Sequence, residues 1–275
     1  MTGSGNDFVM VTADEAARYR LEQAEAIRAI CARGTGVGAD GLVVLEISDD
    51  SRVAIRYYNS DGSRASLCGN ATLCSASLAR GILGLGEGDD LPIGTDSGDL
   101  LSSWRGSRPA FLLPQPDGVV DSAAALQIPL GAQETRIGFA IVGVPHLVVE
   151  VSDLDGVRID ERGRELRSWP LLLPAGANVN FIQREGSNAQ RWRMRTFERG
   201  VEGETLACGT GAGAAGILLD RWEGDRAEWT LVTRSGSELT VRRTEGASEF
   251  AGWWLGGEGR LVYEGTLDPG FLAQI

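Results

Sequence analysis

The sequence predicts an α+β fold of two similar domains from an internal duplication, each a β-sheet wrapped around a central buried helix, with the active site in the cleft between them. Three observations carry that expectation. Segments of unlike character recur in the same order at a shift of about 139 positions. Strand-like runs are short and set off by Gly and Pro turns, without the regular strand–helix alternation of a doubly wound sheet. Two stretches of small and apolar residues, each opening on Cys-Gly, read as helices without a charged face.

The repeat is legible element by element. Gly5-Asn6-Asp7-Phe8-Val9 lies over Val144-Pro145-His146-Leu147-Val148, a turn and then a β-type run. Residues 38–44 lie near 176–182, and 53–59 lie over 192–198. Leu67-Cys68-Gly69-Asn70 then falls, one residue out of step, over Ala207-Cys208-Gly209-Thr210. One such match is weak; four in order at a nearly constant offset indicate two halves of one fold. Each half reads as turn, strand, helix, strand, strand, turn, Cys-Gly, helix and a strand-rich remainder. Gly41 to Ile47 and Trp229 to Thr233 are representative strands. The helices from Cys68 to Ala79 and from Cys208 to Leu219 carry no charged side chain, and a helix apolar on every side belongs inside a domain. The expected domains are 1–117, with 266–275 returning to it, and 118–265.

Composition narrows the function. A chain of 275 residues with 43% apolar residues supports a sizeable core, in one large or two medium domains. The net charge of −12 argues against a nucleic-acid surface. No apolar run is long enough to span a bilayer, and no signal-peptide pattern opens the chain, so no membrane partner and a cytoplasmic location are expected. All 26 basic residues are Arg, so no lysine is present to form an internal Schiff base with pyridoxal phosphate. The four cysteines, Cys31, Cys68, Cys74 and Cys208, fit a reducing compartment. None pairs in C-x-x-C spacing and His146 is the sole histidine, so neither metal nor cofactor is expected. Cys31 and Cys74 read as small core residues.

Cys68 and Cys208 invite a different reading. A cysteine at a helix N-terminus sits in the positive end of the helix dipole, which favours thiolate, and free backbone N–H groups there bind carboxylates. Two such turns around one small ligand would place a base on one face of a carbon and an acid on the other, an arrangement that inverts a stereocentre. The barrier is large: a carbon acid weaker than the thiol by on the order of ten pK units makes proton removal uphill by roughly 14 kcal/mol. A helix dipole supplies roughly 0.3–1 kcal/mol, and each preorganised donor aimed at developing charge about 2.7–4. Both cysteines, several donors and a desolvated site are therefore all required.

Seven motifs in order resemble the diaminopimelate epimerase family across nearly the whole chain: Gly3 to Phe8, Gly36 to Gly41, Asn59 to Ser63, Cys68 to Asn70, Gly143 to His146, Gly176 to Phe181, and Glu198 to Gly200 followed by Gly203 to Gly211. The resemblance implies cofactor-independent interconversion of LL- and meso-diaminopimelate, feeding lysine and peptidoglycan precursor synthesis. It implies Cys68 and Cys208 as the acid–base pair. Asn6, Asn59, Asn178 and Arg199 are implied to hold the distal amino-acid end, with a bidentate guanidinium suited to a carboxylate. Gly69, Asn70, Gly209 and Thr210 would hold the carboxylate at the reacting carbon. His146 and Glu198 would contact the reacting amino group and tune the thiols. A homodimer is a candidate assembly.

The chain departs from the family pattern at three places. Ala71 and Leu73 stand where Gly and Arg are usual, and Val144 where many members have Asn. The chain also begins almost at the first motif, so the usual opening strand is expected to be short or absent. The rival readings are a racemase or epimerase of the same fold acting on another amino acid, and a non-catalytic amino-acid-binding relative. Proline racemases fit less well, because Asn70 stands where their first turn carries His.

Overall fold

A computed structural model of the chain describes residues 1–105, 108–224, 226–244 and 252–273. The chain forms two compact units, Met1–Phe111 with Gly257–Ile275, and Leu112–Gly256. These divisions fall six and nine residues before the expected ones at 117 and 265. Of the expected returning segment, residues 274 and 275 lie outside the described residues.

The first unit opens with the strands β1 (Thr2–Gly3) and β2 (Asn6–Thr12). Two short helices follow, α1 (Ala13–Tyr19) and α2 (Ala24–Cys31), then β3 (Gly41–Ile47), β4 (Val53–Asn59), β5 (Arg64–Ala65), α3 (Gly69–Leu83), β6 (Asp90–Thr95), β7 (Gly98–Arg105) and β8 (Arg108–Leu112). Where one helix was expected after β2 there are two, because Arg20 turns left-handed at the end of α1 (φ 54°). Thr12 starts α1 with a reciprocal cap to Glu15. β2 runs parallel to β3, β3 antiparallel to β4, and β4 parallel to β6. β6, β7 and β8 continue as antiparallel neighbours.

The second unit repeats this plan. It contains β9 (Asp117–Val120), β10 (Glu134–Val142), β11 (Val144–Val151), α4 (Ile159–Arg167), a 3-10 turn over Pro170–Leu172, β12 (Asn178–Arg184), β13 (Arg191–Glu198), β14 (Gly203–Thr205), α5 (Gly209–Glu223), β15 (Glu228–Val232), β16 (Glu238–Thr244) and β17 (Gly252–Gly256). β11 runs parallel to β12, β12 antiparallel to β13, and β13 parallel to β15, with β15, β16 and β17 antiparallel. The pairing rules of β2-β3-β4-β6-β7-β8 thus recur in β11-β12-β13-β15-β16-β17. The turn before each short strand needs a glycine with positive φ, Gly62 (89°) in one unit and Gly200 (93°) in the other. After β17 the chain rejoins the first unit, where α6 (Pro269–Leu272) places Phe271 and Leu272 against the α1/α2 core with Leu267.

Each unit wraps its sheet around one helix, as the absence of a charged face requires. α5 packs on β10, β11, β12, β15, β16 and β17, and its nine residues from Gly211 to Leu219 are all buried. Burying Ile217, Leu218 and Leu219 contributes about 1.5–3 kcal/mol each. The glycines of α5 admit this closeness: a Cβ on Gly216 would sit 2.5 Å from Val241. α3 packs on β1, β3, β4 and β6 and is buried over residues 70–76, while Ile82 in its last turn is 59% exposed.

Candidate active site

The two Cys-Gly turns have the same backbone. Cys68 is the N-cap of α3 at φ −136°, ψ 113°, and Cys208 the N-cap of α5 at φ −133°, ψ 109°. Neither helix has a side-chain cap at its N-terminus. The first-turn N–H groups, which an α-helix cannot satisfy internally, are therefore available to an anion at Gly69 and Asn70, and at Gly209 and Thr210. The other two thiols are core residues. Burial holds Cys31 up at about 11 and Cys74 at about 12, so neither supplies thiolate near neutral pH.

Within the first unit, an amide chain fixes the Cys68 turn. Arg33 places both terminal nitrogens on Asp7 (2.8 and 2.6 Å) and one on Asp40 (2.9 Å). Asp40 accepts from the Asn6 amide (2.9 Å), and Asn6 Oδ1 accepts from the Asn70 amide (2.8 Å). The Asp40 carboxylate sets the Asn6 amide orientation, and that sets Asn70. Among the described residues the buried Asn70 Oδ1 has no hydrogen-bond partner. A buried bare acceptor suits an N–H of a ligand, whereas a carboxylate would need the Asn70 backbone N–H. Asn59, at the end of β4, donates to Ser63 Oγ (3.0 Å) across the Gly62 turn.

Within the second unit, a line of donors runs to Cys208. Thr196 Oγ1 donates to Asn180 Oδ1 (3.0 Å), which turns the Asn180 amide nitrogen toward Leu147 O (3.0 Å) and His146 Nδ1 (3.3 Å). With Nδ1 accepting, the His146 proton lies on Nε2, 3.0 Å from Thr210 Oγ1. The Thr210 hydroxyl is then free to donate toward Cys208 Sγ at 3.8 Å. His146 is fully buried, and burial, with the Arg199 charge second, lowers its pKa to about 3. It is therefore a neutral N–H donor at physiological pH. Its contact toward Cys208 runs through the Thr210 hydroxyl.

Asn178, Glu198 and Arg199 gather at the neighbouring strand ends. Asn178 lies beside His146 in the parallel β11–β12 register, and its Oδ1 accepts from the Arg199 backbone N–H (2.8 Å). The Arg199 guanidinium donates to Ala175 O (2.8 Å). Burial raises the Glu198 carboxyl above its ordinary range, with the nearby Thr205 offsetting part of the rise. The structure thus brings Asn6, Asn70 and Cys68 together in one unit, and Asn178, His146, Glu198, Arg199, Thr210 and Cys208 in the other.

Sequence reasoning passed over several residues. Asn180 stands two after Asn178, and strand alternation puts both on one face of β12, which was a usable signal. Asp40 stands within the Gly36–Gly41 motif and Arg33 just before it, neither with an assigned role. Tyr57, which lines the same pocket as Cys68, gave no signal, since a Tyr in a strand reads as core. Of the departures from the family pattern, Ala71 and Leu73 are fully buried in α3, so they alter packing rather than a ligand-facing surface. Val144 is half-buried at the start of β11.

The duplicated sheet-wrapped helix is a fold shared with solved proteins. A Bacillus anthracis phenazine biosynthesis protein of the PhzF family superposes with a TM-score of 0.66 at 18% identity, covering 94% of this chain and 91% of that one. A probable proline racemase from Agrobacterium radiobacter K84 gives 0.60 at 16% identity, with 98% and 92% covered. At such identities the likeness is one of fold. The sequence comparisons go further. The family model for diaminopimelate epimerase matches residues 1–113 and 138–250. The chain is 44% identical to a diaminopimelate epimerase from Gemmatimonas aurantiaca over 97% of both chains. It is 34% identical to one from Chlorobaculum tepidum over 97% of this chain and 99% of the relative. The protein is an isomerase, an epimerase of a small amino-acid substrate. It belongs to the diaminopimelate epimerase family. Among the described residues no helix is long and apolar enough to cross a membrane.

Proposed function

We propose that this enzyme interconverts LL- and meso-diaminopimelate by moving a Cα proton between Cys68 and Cys208. The observation that carries the reading is the repeated uncapped N-cap cysteine, with the same backbone angles in both units and a hydroxyl beside each sulfur. One thiolate removes the proton from one face of the carbon; the other thiol delivers its own proton to the opposite face. Backbone N–H groups of Gly69, Asn70, Gly209 and Thr210 hold the adjacent carboxylate, and spread the charge that develops there. Asn6, Asn59, Asn178 and Arg199 bind the distal end. The neutral His146, through Thr210, keeps a donor aimed at Cys208, while the protonation-prone Glu198 is placed for the amino group.

The test is proton exchange in D2O with LL-diaminopimelate. Product formed early carries α-deuterium while unreacted substrate stays largely protiated, because each face has its own base. Equal early labelling of both isomers refutes the two-base reading. Cys68→Ala and Cys208→Ala each abolish epimerisation, whereas Cys31→Ala and Cys74→Ala retain it. A second reading, epimerisation of another amino acid, is favoured only by Val144, and the same exchange assay with a panel of amino acids separates the two.

A further inference from the structure

Cys68 lines a small, partly open pocket in the first unit, whose walls include Ile55, Tyr57, Ser66 and Asp96. Three contacts hold the Tyr57 ring in this pocket. Phe8 meets it edge-on, with centroids 5.9 Å apart at 82°. Gly41 leaves the space that ring and hydroxyl occupy, since a Cβ there would sit 2.6 Å from Tyr57 Cε2 and 3.0 Å from its oxygen. Tyr57 and Cys68 both pack on the core cluster that includes Val43, Ile55 and Ala71. Such a ring, wedged on β4 one strand from Gly41, has little freedom to swing its hydroxyl away.

We infer that Tyr57 is a positioning residue for Cys68: its hydroxyl donates a hydrogen bond to the sulfur, fixing the sulfur's direction and favouring its anionic form. The inference rests on the proposed acid–base role of Cys68. Burial, and then the negative charge a Cys68 thiolate would carry, push the Tyr57 hydroxyl well above its ordinary range, so it keeps the proton with which it can donate to a thiolate. The charged and titratable groups facing the pair are Asp40 and Cys31 on the Tyr57 side, and Asp96 with its ion-paired Arg64 at the pocket. Cys74, further along α3, stays a thiol through neutral pH. Cys208 has Thr210 for its hydroxyl neighbour, so the two sulfurs receive their donors from different residue types on different elements.

The experiment is iodoacetamide alkylation of the substrate-free enzyme as a function of pH, with each cysteine-containing peptide followed by mass spectrometry. Tyr57→Phe moves the Cys68 alkylation midpoint up by roughly one pH unit, a tenfold slower reaction at neutral pH, which is the size of one hydrogen bond to a charged group. The Cys208 profile stays in place. If Tyr57→Phe does not fold, 3-fluorotyrosine at position 57 serves instead: the more acidic phenol donates more strongly, and the Cys68 midpoint moves down. A Cys68 midpoint unmoved in folded Tyr57→Phe, or displaced downward, overturns the inference, as does a midpoint unmoved by 3-fluorotyrosine. Failure of the underlying reading is distinguishable, because it appears as retained epimerisation in Cys68→Ala whatever the alkylation profile.

Discussion

Gly211→Ala sets two effects against each other, and the structure decides between them. In an exposed helix interior, replacing Gly by Ala stabilises by about 1 kcal/mol. At this position a Cβ would stand 2.3 Å from Asn180 Oδ1 and 3.1 Å from Cys208 Sγ. Asn180 is fully buried and tied to Thr196, Leu147 and His146, so it cannot yield without breaking a buried hydrogen bond. That loss costs about 1–3 kcal/mol, and overpacking a tight core about 1–3 more. Set against the propensity gain, the net change is a loss of roughly 1–5 kcal/mol. Each kcal/mol is worth about 2–4 °C in a chain of this size, so the melting temperature falls by at least about 2 °C. Turnover falls by more than about tenfold, since the same atom crowds the Cys208 sulfur and a misplacement of that order is costly. Calorimetry with an epimerisation assay reads both. A melting temperature raised by about 2–4 °C with full turnover would show that propensity wins and that the Asn180–Cys208 packing has been misjudged.

Three further perturbations address the same site. Because the pKa of His146 is lowered to about 3 in the folded protein against an ordinary value of 6.5, the unfolded chain binds its proton first as pH falls. Stability tied to this residue is therefore present above pH 6.5 and drains away toward pH 3 at up to about 1.4 kcal/mol per pH unit. As the sole histidine, its ring resonances are assigned without ambiguity, and they stay at their neutral positions from pH 8 to pH 5; a titration near 6.5 would refute its burial. Thr210→Val leaves the buried His146 N–H without its acceptor, costing about 1–3 kcal/mol, and takes the hydroxyl from Cys208. Both stability and turnover fall, and Thr210→Ser restores both; recovery of neither would place the role of Thr210 outside its hydroxyl. Arg199→Ala raises KM and lowers turnover together, because remote binding energy orients the reacting end. Steady-state kinetics showing either parameter unchanged would remove Arg199 from the distal contact.

The duplication was legible because each half repeats several unlike signals in one order, and the strands then follow from β-rich runs between glycine turns. The buried helices were legible from a missing feature, a charged face. The cysteines stood out since Cys-Gly opens both of those helices. What escaped were side chains whose role depends on neighbours far away in sequence. Tyr57 reads as an ordinary strand residue until the space above Gly41 is known. Asn180 sits inside a quoted motif, but its bonds to Thr196 and His146 come from strands on either side of it. The tautomer of His146 cannot be inferred from the chain at all; it follows from Thr196 fixing the Asn180 amide. The split of the first helical segment into α1 and α2 turns on one left-handed residue, Arg20, which no residue preference announces.

Two hydroxyls of different origin stand beside the two sulfurs: a phenol from β4 at Cys68, and an alcohol from the first turn of α5 at Cys208. A pair of identical chains related by twofold symmetry could not make this distinction, since whatever adjusted one thiol would adjust the other equally. Joining the halves in one polypeptide releases each from its counterpart. Phenol and alcohol differ in acidity and reach, so mutation can change the proton affinity of one sulfur while leaving the other alone. Under the proposed two-thiol mechanism the resting proton would then have a preferred sulfur, and the LL and meso forms, which are not mirror images, would be met by enzyme forms of unequal abundance.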